Sequence, residues 1–496
     1  MKRFFASMVI ATLLLVTVMV MIMQAQKMGK ISTPAPAPEA PIAAEVEPVK
    51  YVFYFIGDGM SIPQRMMTEE YLHLTENRGL IMNSFEAQGY STTYAADSFI
   101  TDSAASGTAL ACGTKTNSGW LGVDPQKNRL ESVAEVAKKS GRKVAIISSV
   151  TLNHATPAAF YAHNPSRGDA YPIALEIFDS NFDFFGGGTF INVDGKNVEN
   201  AVNILDLARE KGWTVSTTHD EFNALAPSDK PILAITPRFG EEGSMPYSID
   251  MKDGDITLAD FVTKAIDVLD NDDGFFMSIE GGKIDWMCHA NDAGTVLREV
   301  IALDDAIAVA VEFAKKHPDD TLIVVTGDHE TGGLTLGFAG TGYKSYLERL
   351  KNQKASYVEM APVYYELKKN KDTTFEDVKP IITQYTGMKF EGEAKDPMLL
   401  SSAEIKKLAE AFERSRGGGT YSEAEVKSVL YSGYDPLLIT TFHTLNNKAG
   451  IAWTSFAHTA LPVGTSATGK NAHKFANMSD NTDIANNLKP MLAPLK

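Results

Sequence analysis

The sequence predicts an α/β protein: a mainly parallel central sheet, flanked by helices on both faces, with a helix-rich insertion. Two observations lead to this fold class. Short apolar runs that suit buried strands alternate along the chain with longer segments that suit helices. Several of these runs end in a carboxylate next to glycine, and ligands of parallel sheets bind beyond the carboxyl ends of the strands. The composition fits a globular protein, because 44% of the residues are hydrophobic and 22% are charged.

The first predicted strand is Tyr51–Ile56, a short apolar run that ends at Gly57-Asp58-Gly59. The folded part of the chain is expected to start just before it, near Lys50. Helices and strands then alternate, and capping signals mark several of the helix ends. The predicted elements are, in order, a helix over 130–139, a strand over 144–148, a helix from 257 to about 269, a strand over 275–279, a long helix over 293–316 and a strand over 321–326.

The segment from about 340 to 450 differs from the rest of the predicted catalytic domain, which spans 50–496. It is strongly charged and rich in helix-forming patterns, as in 401–414, and Gly417-Gly418-Gly419 interrupts it. We expect it to be an insertion over or beside the site and not a strand-forming part of the core. The sequence shows no internal repeat.

The amino-terminal residues 1–26 predict a signal peptide or a membrane anchor. Lys2 and Arg3 precede an apolar run over 4–23, which is long for a cleaved signal and just long enough to span a bilayer. Both interpretations therefore stay open. Residues 27–49 are rich in Pro, Ala and Glu and predict an extended linker. We expect export to the periplasm or the extracellular space, with a tether to the inner membrane if the segment is retained.

The charge and the cysteine content exclude some classes of protein. The net charge of −16 is unfavourable for a non-specific nucleic-acid binder, so no nucleic-acid partner is expected. Any attraction for an anionic substrate must then be local. Only two cysteines are present, Cys112 and Cys288, which excludes a disulfide framework. Two buried thiols are the preferred interpretation, although an exported protein could also pair them.

A run of small residues from Thr101 to Thr108 indicates a loop that enters a helix, with Ser103 near the helix start. Asp102 or Ser103 could simply cap that helix. The functional interpretation is that Ser103 attacks phosphorus, while backbone N–H groups at the helix start bind phosphoryl oxygens. A serine hydroxyl needs activation, and a nearby metal ion is the most plausible activator in this sequence.

Carboxylates follow three of the predicted strands. Asp58 ends the first strand, Glu280 precedes Gly281-Gly282 at the end of another, and Asp328 with His329 follows a third. Each could be a solvated turn when taken alone. Because the carboxyl ends of parallel strands meet at one edge of a sheet, the three together favour a common site.

Further candidate ligands lie on other segments. Asp285 and His289 are four residues apart, so on a helix they share a face, and a carboxylate with an imidazole suits zinc. His458 is expected on a loop, and His154 and Thr156 follow the strand at 144–148.

Arg167 is a natural bidentate partner for phosphate. Together with Ser103 and the Asp, Glu and His residues, it completes the inventory for two metal ions that act on an in-line phosphoryl transfer.

At this point the chain closely resembles the alkaline phosphatase family. The resemblance covers roughly residues 50–490, and six motifs occur in the family's order. Those motifs are Ile56-Gly57-Asp58-Gly59-Met60, Asp102-Ser103-Ala104-Ala105, His154-Ala155-Thr156-Pro157-Ala158, Glu280-Gly281-Gly282 with Asp285 and His289, Thr326-Gly327-Asp328-His329, and Ala457-His458-Thr459.

The resemblance implies two zinc ions and one magnesium ion per subunit. It implies a covalent phosphoserine at Ser103, Arg167 as the phosphate clamp, Asp102 as the residue that positions Arg167, and a homodimer. The implied ligands are Asp285, His289 and His458 for the first zinc, Asp58, Asp328 and His329 for the second, and Asp58, Thr156 and Glu280 for the third ion.

Two substrate-facing positions vary within the family, and here they are His154 and Trp286. This pair is similar to cold-adapted marine bacterial members. His154 beside the third site leaves the identity of that metal open.

The expected activity is hydrolysis of phosphate monoesters. A phosphodiesterase, nucleotide pyrophosphatase or sulfatase of the same superfamily is the alternative, although Ser103 does not lie in the C/S-x-P-x-R context that a sulfatase would need. A non-catalytic phosphate-binding surface protein is the alternative from another class, and the complete ligand set argues against it.

Overall fold

Ten strands form the central sheet in a computed structural model that describes residues 46–418, 422 and 430–495. The predicted segment 1–26 and residues 27–45 of the predicted linker lie outside the described residues. The strands of this sheet, in chain order, are β1 (Tyr51–Gly57), β2 (Ala87–Thr92), β3 (Lys143–Ser148), β4 (Phe184–Gly187), β5 (Thr214–Ser216), β6 (Ile232–Ile235), β7 (Phe275–Gly281), β8 (Thr321–Gly327), β13 (Val463–Gly469) and β14 (Asn477–Asp480).

The sheet is mainly parallel, as the sequence predicts. Its spatial order is β14-β2-β13-β8-β1-β7-β3-β4-β6-β5, and β13 alone runs antiparallel to both of its neighbours in the described sheet. Two short antiparallel pairs lie outside it: β9 (Glu330–Thr331) with β12 (His458–Thr459), and β10 (Leu334–Thr335) with β11 (Ala452–Trp453).

The central strands are buried on both faces, which explains their continuous apolar character. On one face, Tyr51 and Phe53 pack their rings on Phe313 of a long helix. On the other face, the Tyr54 hydroxyl donates to the Leu110 carbonyl and the Tyr54 ring meets Phe160 edge-on. Helices therefore cover both faces of the sheet.

The helices of the described residues follow the predicted alternation. They are α1 (Ile62–Glu76), α2 (Ser103–Cys112), α3 (Val133–Lys139), α4 (Ala155–Ala158), α5 (Ala170–Leu175), α6 (Ile177–Ser180), α7 (Ile204–Glu210), α8 (His219–Asn223), α9 (Leu258–Leu269), α10 (Lys283–His289), α11 (Ala293–Ala314), α12 (Tyr357–Lys368), α13 (Phe375–Thr386), α14 (Ser402–Ser415), α15 (Pro436–Ala449) and α16 (Asn481–Met491).

Element boundaries differ slightly from the predicted ones. The helix predicted from residue 130 begins at Val133, because Ser132 forms a capping box with Glu135. The helix at α9 starts as predicted, with Thr257 accepting from the amide of Asp260. Strands β7 and β8 extend to a glycine beyond their predicted ends. Glu280 is consequently the penultimate residue of its strand and does not follow it.

Helices α12 to α15 occupy the segment 340–450, and the described part of this segment contains an isolated β-bridge between Lys389 and Leu399 but no strand. Each begins with a capping residue, which is Ser356, Thr374, Ser401 or Asp435.

The two ends of the described fold meet at Arg142, whose side chain is 1% exposed. Its guanidinium donates to the Val49 carbonyl at 2.6 and 3.0 Å and to the Leu492 carbonyl at 3.0 Å. The Val49 amide also donates to the Met491 carbonyl at 2.8 Å. Burial lowers the pKa of Arg142 to about 10, so the group remains a cation that several carbonyls solvate.

Cys112 and Cys288 are both free and buried, which confirms the preferred interpretation of these residues. None of the described helices combines the length and the apolar character that a membrane crossing requires.

Candidate functional site

Three neighbouring strands bring the predicted carboxylates to one edge of the sheet. Strand β1 lies between β7 and β8, and its residue Ile56 is level with Glu280 on one side and Thr326 on the other. Asp58 and Asp328 follow β1 and β8 directly. The parallel register therefore places Asp58, Glu280 and Asp328 side by side, as expected for ligands at the carboxyl ends of strands.

Gly59 allows the loop after β1 to approach helix α10. Its φ of +71° is in the left-handed region, and a Cβ at this position would lie 2.8 Å from the Cα of Asp285. A larger residue would therefore separate Asp58 from the ligands on α10.

The first metal group consists of Asp285, His289 and His458. Asp285 and His289 share a face of α10, as the sequence predicts, with 3.3 Å between Asp285 Oδ2 and His289 Nε2. The Nε2 atoms of His289 and His458 are 3.2 Å apart, and Asp285 Oδ1 is 3.5 Å from His458 Nε2. The Nδ1 atoms face carbonyls of Phe456 and Thr101, which leaves both Nε2 atoms directed at the common centre.

His458 does not lie on a loop, and that prediction is wrong. It is the first residue of β12, which pairs with β9 so that His458 is opposite Thr331. The strand could not be recognised locally, because its partner lies far away in the sequence.

The second metal group consists of Asp58, Asp328 and His329, and all three side chains are fully buried. His329 Nε2 is 3.4 Å from Asp58 Oδ1 and 3.2 Å from Asp328 Oδ2. Ser103 Oγ lies 3.2 Å from the same nitrogen. Ser103 is the first residue of α2, so its hydroxyl reaches the second metal group from a helix start, as predicted.

The third metal group consists of Asp58, His154 and Glu280. Asp58 is thus shared by the second and third groups. The Thr156 hydroxyl donates to Asp58 Oδ2 at 3.4 Å, which places the fourth predicted residue beside this group. Ser148 at the end of β3 donates to Glu280 Oε2 and orients that carboxylate.

Asp102 caps helix α2 and also holds Arg167. Its Oδ1 accepts from the amides of Ala105 and Gly119 at 3.1 and 3.0 Å, and its Oδ2 accepts from Arg167 Nη1 at 3.0 Å. The capping and the functional interpretation of Asp102 are therefore both compatible with its contacts. The second Arg167 nitrogen, Nη2, lies 3.5 Å from His154 Nε2.

His154 and Trp286 meet at the mouth of the site. Their ring centroids are 5.9 Å apart and the ring planes are nearly perpendicular, at 72°. Both side chains also line a cavity next to His289.

The carboxylates of the second and third groups have strongly perturbed pKa values. Burial raises the pKa of Asp58 well above its usual value, and the neighbouring charges of Asp328, Asp285 and Glu280 raise it further. Burial likewise raises the pKa of Glu280 to about 8 and that of Asp328 to about 7. Without a cation, these groups would prefer to be protonated.

The histidines of the site fall into two classes according to the direction in which their pKa values shift. Burial lowers the pKa of His154 to about 3, with a further contribution from Arg167, and burial also lowers the pKa of His329. Burial opposes protonation of His289, but Asp285 raises its pKa to about 9. Burial alone would raise the pKa of Asp285, but His289, His458 and His329 lower it well below its usual value. His154 and His329 are therefore neutral rings with free lone pairs, as metal ligation requires.

The donor set fits metal ions. Asp58 Oδ1, Glu280 Oε1 and His154 Nδ1 are buried and have no hydrogen-bond partner among the described residues. Buried polar atoms are rarely left without a partner, and several carboxylates in contact repel one another. Cations at the three metal groups would resolve both problems at once.

Several buried residues that orient the ligands are absent from the sequence-based prediction. The Thr331 hydroxyl is 2.5 Å from Asp285 Oδ1 and 3.2 Å from His329 Nδ1, and therefore connects the first and second metal groups. Ser106 donates to Asp328 Oδ2 at 3.3 Å, one turn along α2 from Ser103. The only local signal in the sequence is the i, i+3 spacing of Ser103 and Ser106, and it could have identified Ser106 alone.

Glu330 is fully buried, and it fixes the strand that carries His458. Its Oε1 accepts from Gln64 Nε2 at 2.8 Å, and its Oε2 accepts from the Thr459 hydroxyl. Its position next to His329 is the one indication in the sequence that Glu330 belongs to the site.

Comparisons with known proteins match this chain to one family. The model of the family described as alkaline phosphatase matches residues 49–180 and 188–493. Alkaline phosphatase 4 of Bacillus subtilis is 30% identical over 463 residues, which cover 88% of this chain and 87% of the relative. Alkaline phosphatase 3 of the same organism is 31% identical over 454 residues, covering 89% and 88%.

Solved structures show the same fold. A cold-active alkaline phosphatase from a psychrophilic Shewanella species is 27% identical, with a TM-score of 0.72 over 89% of this chain and 99% of that one. The alkaline phosphatase of Thermus thermophilus, at 24% identity, shares the fold with a TM-score of 0.74 over 92% and 95% of the two chains.

Proposed function

The chain belongs to the alkaline phosphatase family, and from this membership we propose that Ser103 is its nucleophile. The enzyme hydrolyses phosphate monoesters with the help of metal ions and through a covalent phosphoserine. One observation supports the assignment to Ser103: its buried hydroxyl, at the start of α2, lies 3.2 Å from Nε2 of the ligand candidate His329.

Two zinc ions at the first and second metal groups and one magnesium ion at the third are the proposed cofactors. A mixed nitrogen and carboxylate set suits zinc, whereas the oxygens of Asp58, Thr156 and Glu280 suit magnesium. His154 is the one nitrogen donor in the third group, so its metal is the least constrained. Bound there, the ions would supply the positive charge that activates a serine hydroxyl and stabilises a leaving oxygen.

Arg167 is proposed to bind the non-bridging oxygens of the phosphate. Asp102 holds its Nη1, and its Nη2 lies next to His154, beside the space in which we place the phosphate. The amide N–H groups at the start of α2 would donate to a second phosphoryl oxygen. His154 and Trp286 border this space and would limit where the ester can lie.

Local charge explains how an acidic protein binds a phosphate dianion. The net charge of the chain is −16, but three divalent ions and Arg167 would together exceed the charge of the five site carboxylates. These are Asp58, Asp102, Glu280, Asp285 and Asp328.

The assembly and the cellular location are proposed on the family and on the sequence. We expect a homodimer that is exported to the periplasm or the extracellular space, with 1–26 as a signal peptide or membrane anchor and 27–49 as a linker. The catalytic domain would span 50–496, with 340–450 as its insertion.

The test of the proposed nucleophile is the Ser103→Ala variant. We expect turnover of p-nitrophenyl phosphate to fall by about 10³-fold or more with the metal content unchanged, because the attacking oxygen is lost. The exposed Ser84→Ala variant is the matched control. Acid quenching of the wild type with substrate should leave a phosphate on the peptide that contains Ser103, detectable by mass spectrometry. Full activity of Ser103→Ala would refute the proposal.

A further inference from the structure

A cavity of about 230 Å³ opens beside the first metal group. It is smaller than the roughly 300–1,000 Å³ of pockets for drug-sized ligands, so it suits a small molecular fragment. The residues that line it are His154, Glu241, Glu242, Trp286, Met287, His289, Ala290, Tyr357, Val358 and Tyr434.

The position of this cavity relates it to the reaction. His289 belongs to the first metal group, whereas Ser103 contacts the second, and both groups would flank a bound phosphate. In an in-line displacement the leaving oxygen lies opposite the nucleophile, and therefore on the side of His289. The alcohol part of the ester would then extend into the cavity. This step rests on the proposed function.

Three aromatic side chains form walls of the cavity: Trp286 from α10, Tyr357 from α12 and Tyr434 from the segment before α15. The rings of Tyr357 and Tyr434 are perpendicular, with centroids 5.7 Å apart. Tyr434 also contacts Phe456, and the centroids of these two rings are likewise 5.7 Å apart. These contacts hold the two tyrosines, both supplied by the segment 340–450, in fixed positions.

Two carboxylates complete the lining. Glu241 and Glu242 are exposed at the cavity, and Glu241 Oε2 accepts from the Tyr247 hydroxyl at 3.0 Å. The described lining contains neither Lys nor Arg. The nearby Lys283 is fully buried, donates to the Met245 carbonyl and lies 3.4 Å from the centroid of the Tyr247 ring.

We propose that this cavity binds the leaving alcohol of the substrate and favours cationic amino alcohols, so that esters such as phosphocholine are preferred substrates. Aromatic faces attract ammonium groups through their quadrupole, and proteins commonly bind quaternary ammonium ligands such as choline in this way. The two carboxylates add attraction for a cation and would repel an anionic alcohol.

The direct test compares phosphocholine with 3,3-dimethylbutyl phosphate, which has the same shape but a carbon in place of the charged nitrogen. We expect kcat/KM to be about 10-fold higher for phosphocholine, and the preference should shrink as the salt concentration rises. Equal kcat/KM values for the two esters would overturn the proposal.

Variants of the cavity residues then test whether the cavity causes the preference for phosphocholine. In Glu241→Gln/Glu242→Gln and in Tyr434→Leu, the ratio of the two kcat/KM values should fall below that of the wild type, whereas Tyr434→Phe should retain it. Glu210→Gln removes an exposed carboxylate on α7 and is the matched control. A ratio that persists in both the double variant and Tyr434→Leu would show that the cavity is not responsible. Because every comparison is a ratio of two hydrolysis rates, a failure here is distinct from activity in Ser103→Ala, which alone would refute the nucleophile.

Discussion

Two clusters in this protein, one half-buried and one fully buried, contain the same residue types and behave in opposite ways. In the cluster of His163, Glu135 and Glu176, the imidazole lies 3.5 and 3.7 Å from the two carboxylates. Burial opposes charge there, but the contacts raise the pKa of His163 to about 9 and lower that of Glu135 to about 2. In the second and third metal groups, burial instead raises the pKa values of Glu280 and Asp328 to about 8 and about 7.

The difference lies in how the charges are balanced. The His163 cluster pairs a cation with anions, and the Ser132 amide and Arg129 also donate to Glu135. The metal groups place carboxylates against one another and leave Asp58 Oδ1 and Glu280 Oε1 without a hydrogen-bond partner. A shortage of positive charge, and not the presence of His and Asp, distinguishes the second and third metal groups from this structural ion pair.

Among the changes that test this difference, removal of the metal ions should have the largest effect. We expect exhaustive chelation to lower kcat/KM by at least about 10³-fold, since the metal ions supply the charge stabilisation of the reaction. The free energy of unfolding of the metal-free enzyme should also become pH-dependent. A carboxylate whose pKa is raised on folding stabilises the fold at low pH, and this stability is lost as the pH rises towards the folded value.

Above about pH 6.5 the neutral side chains of His154 and His329 no longer titrate in either state, so the metal-free enzyme should lose stability as the pH rises from there to about 8. Denaturant unfolding at several pH values, with and without added Zn²⁺ and Mg²⁺, measures this. A metal-free enzyme with a flat pH profile in this range would contradict the proposed origin of the raised pKa values.

Thr331→Val should have an intermediate effect, because Thr331 orients ligands in two metal groups at once. Loss of such an outer contact typically costs about 10–100-fold in metal affinity or activity. Competition with a chromophoric zinc chelator, together with kcat/KM, measures both. Thr263→Val removes an exposed helical hydroxyl and serves as the control. Unchanged zinc affinity in Thr331→Val would show that its hydroxyl is dispensable for the metal groups.

His163→Gln should have the smallest effect and should leave activity unchanged. Because the pKa of His163 is raised on folding to about 9, its stabilisation is complete below about pH 6.5 and is lost as the pH rises through 9. The metal-loaded wild type should thus lose on the order of 2 kcal/mol between these pH values, and the variant should not. Unfolding in urea at both pH values checks this, with the exposed His219→Gln as control. The same loss in His163→Gln would assign the pH dependence to another group.

The sequence was most informative about strands that consist of a continuous run of buried apolar residues. Strands β1, β3, β7 and β8 consist of such runs, and the capping residues of α9 and α14 mark the helix starts. Strands β4, β5 and β6 were not predicted, because runs of three or four residues are too short for such a pattern. Strands β2, β13 and β14 escaped prediction because their residues are small or polar. In β13 the hydroxyl of Thr465 is buried and lies 3.2 Å from those of Ser91 and Thr326, so hydrogen bonding replaces the apolar pattern.

The same distinction applies to the site. The positions of Asp58, Glu280 and Asp328 at strand ends follow from the topology of a parallel sheet, and α10 places Asp285 and His289 by its periodicity. The contacts that Thr331 and Glu330 make depend on pairing between β9 and β12, which are separated by more than a hundred residues. No local pattern encodes such a pairing.

The closure of the fold at Arg142 has a consequence for engineering. Val49 and Leu492 share this guanidinium and lie at the amino-terminal edge of the parallel strands, whereas the metal groups lie at the opposite edge. A short peptide could therefore join the two ends, and the ring could be reopened in an exposed loop as a circular permutant. A reporter or a surface anchor fused to either end would therefore lie at the edge of the sheet that is opposite the bound ester.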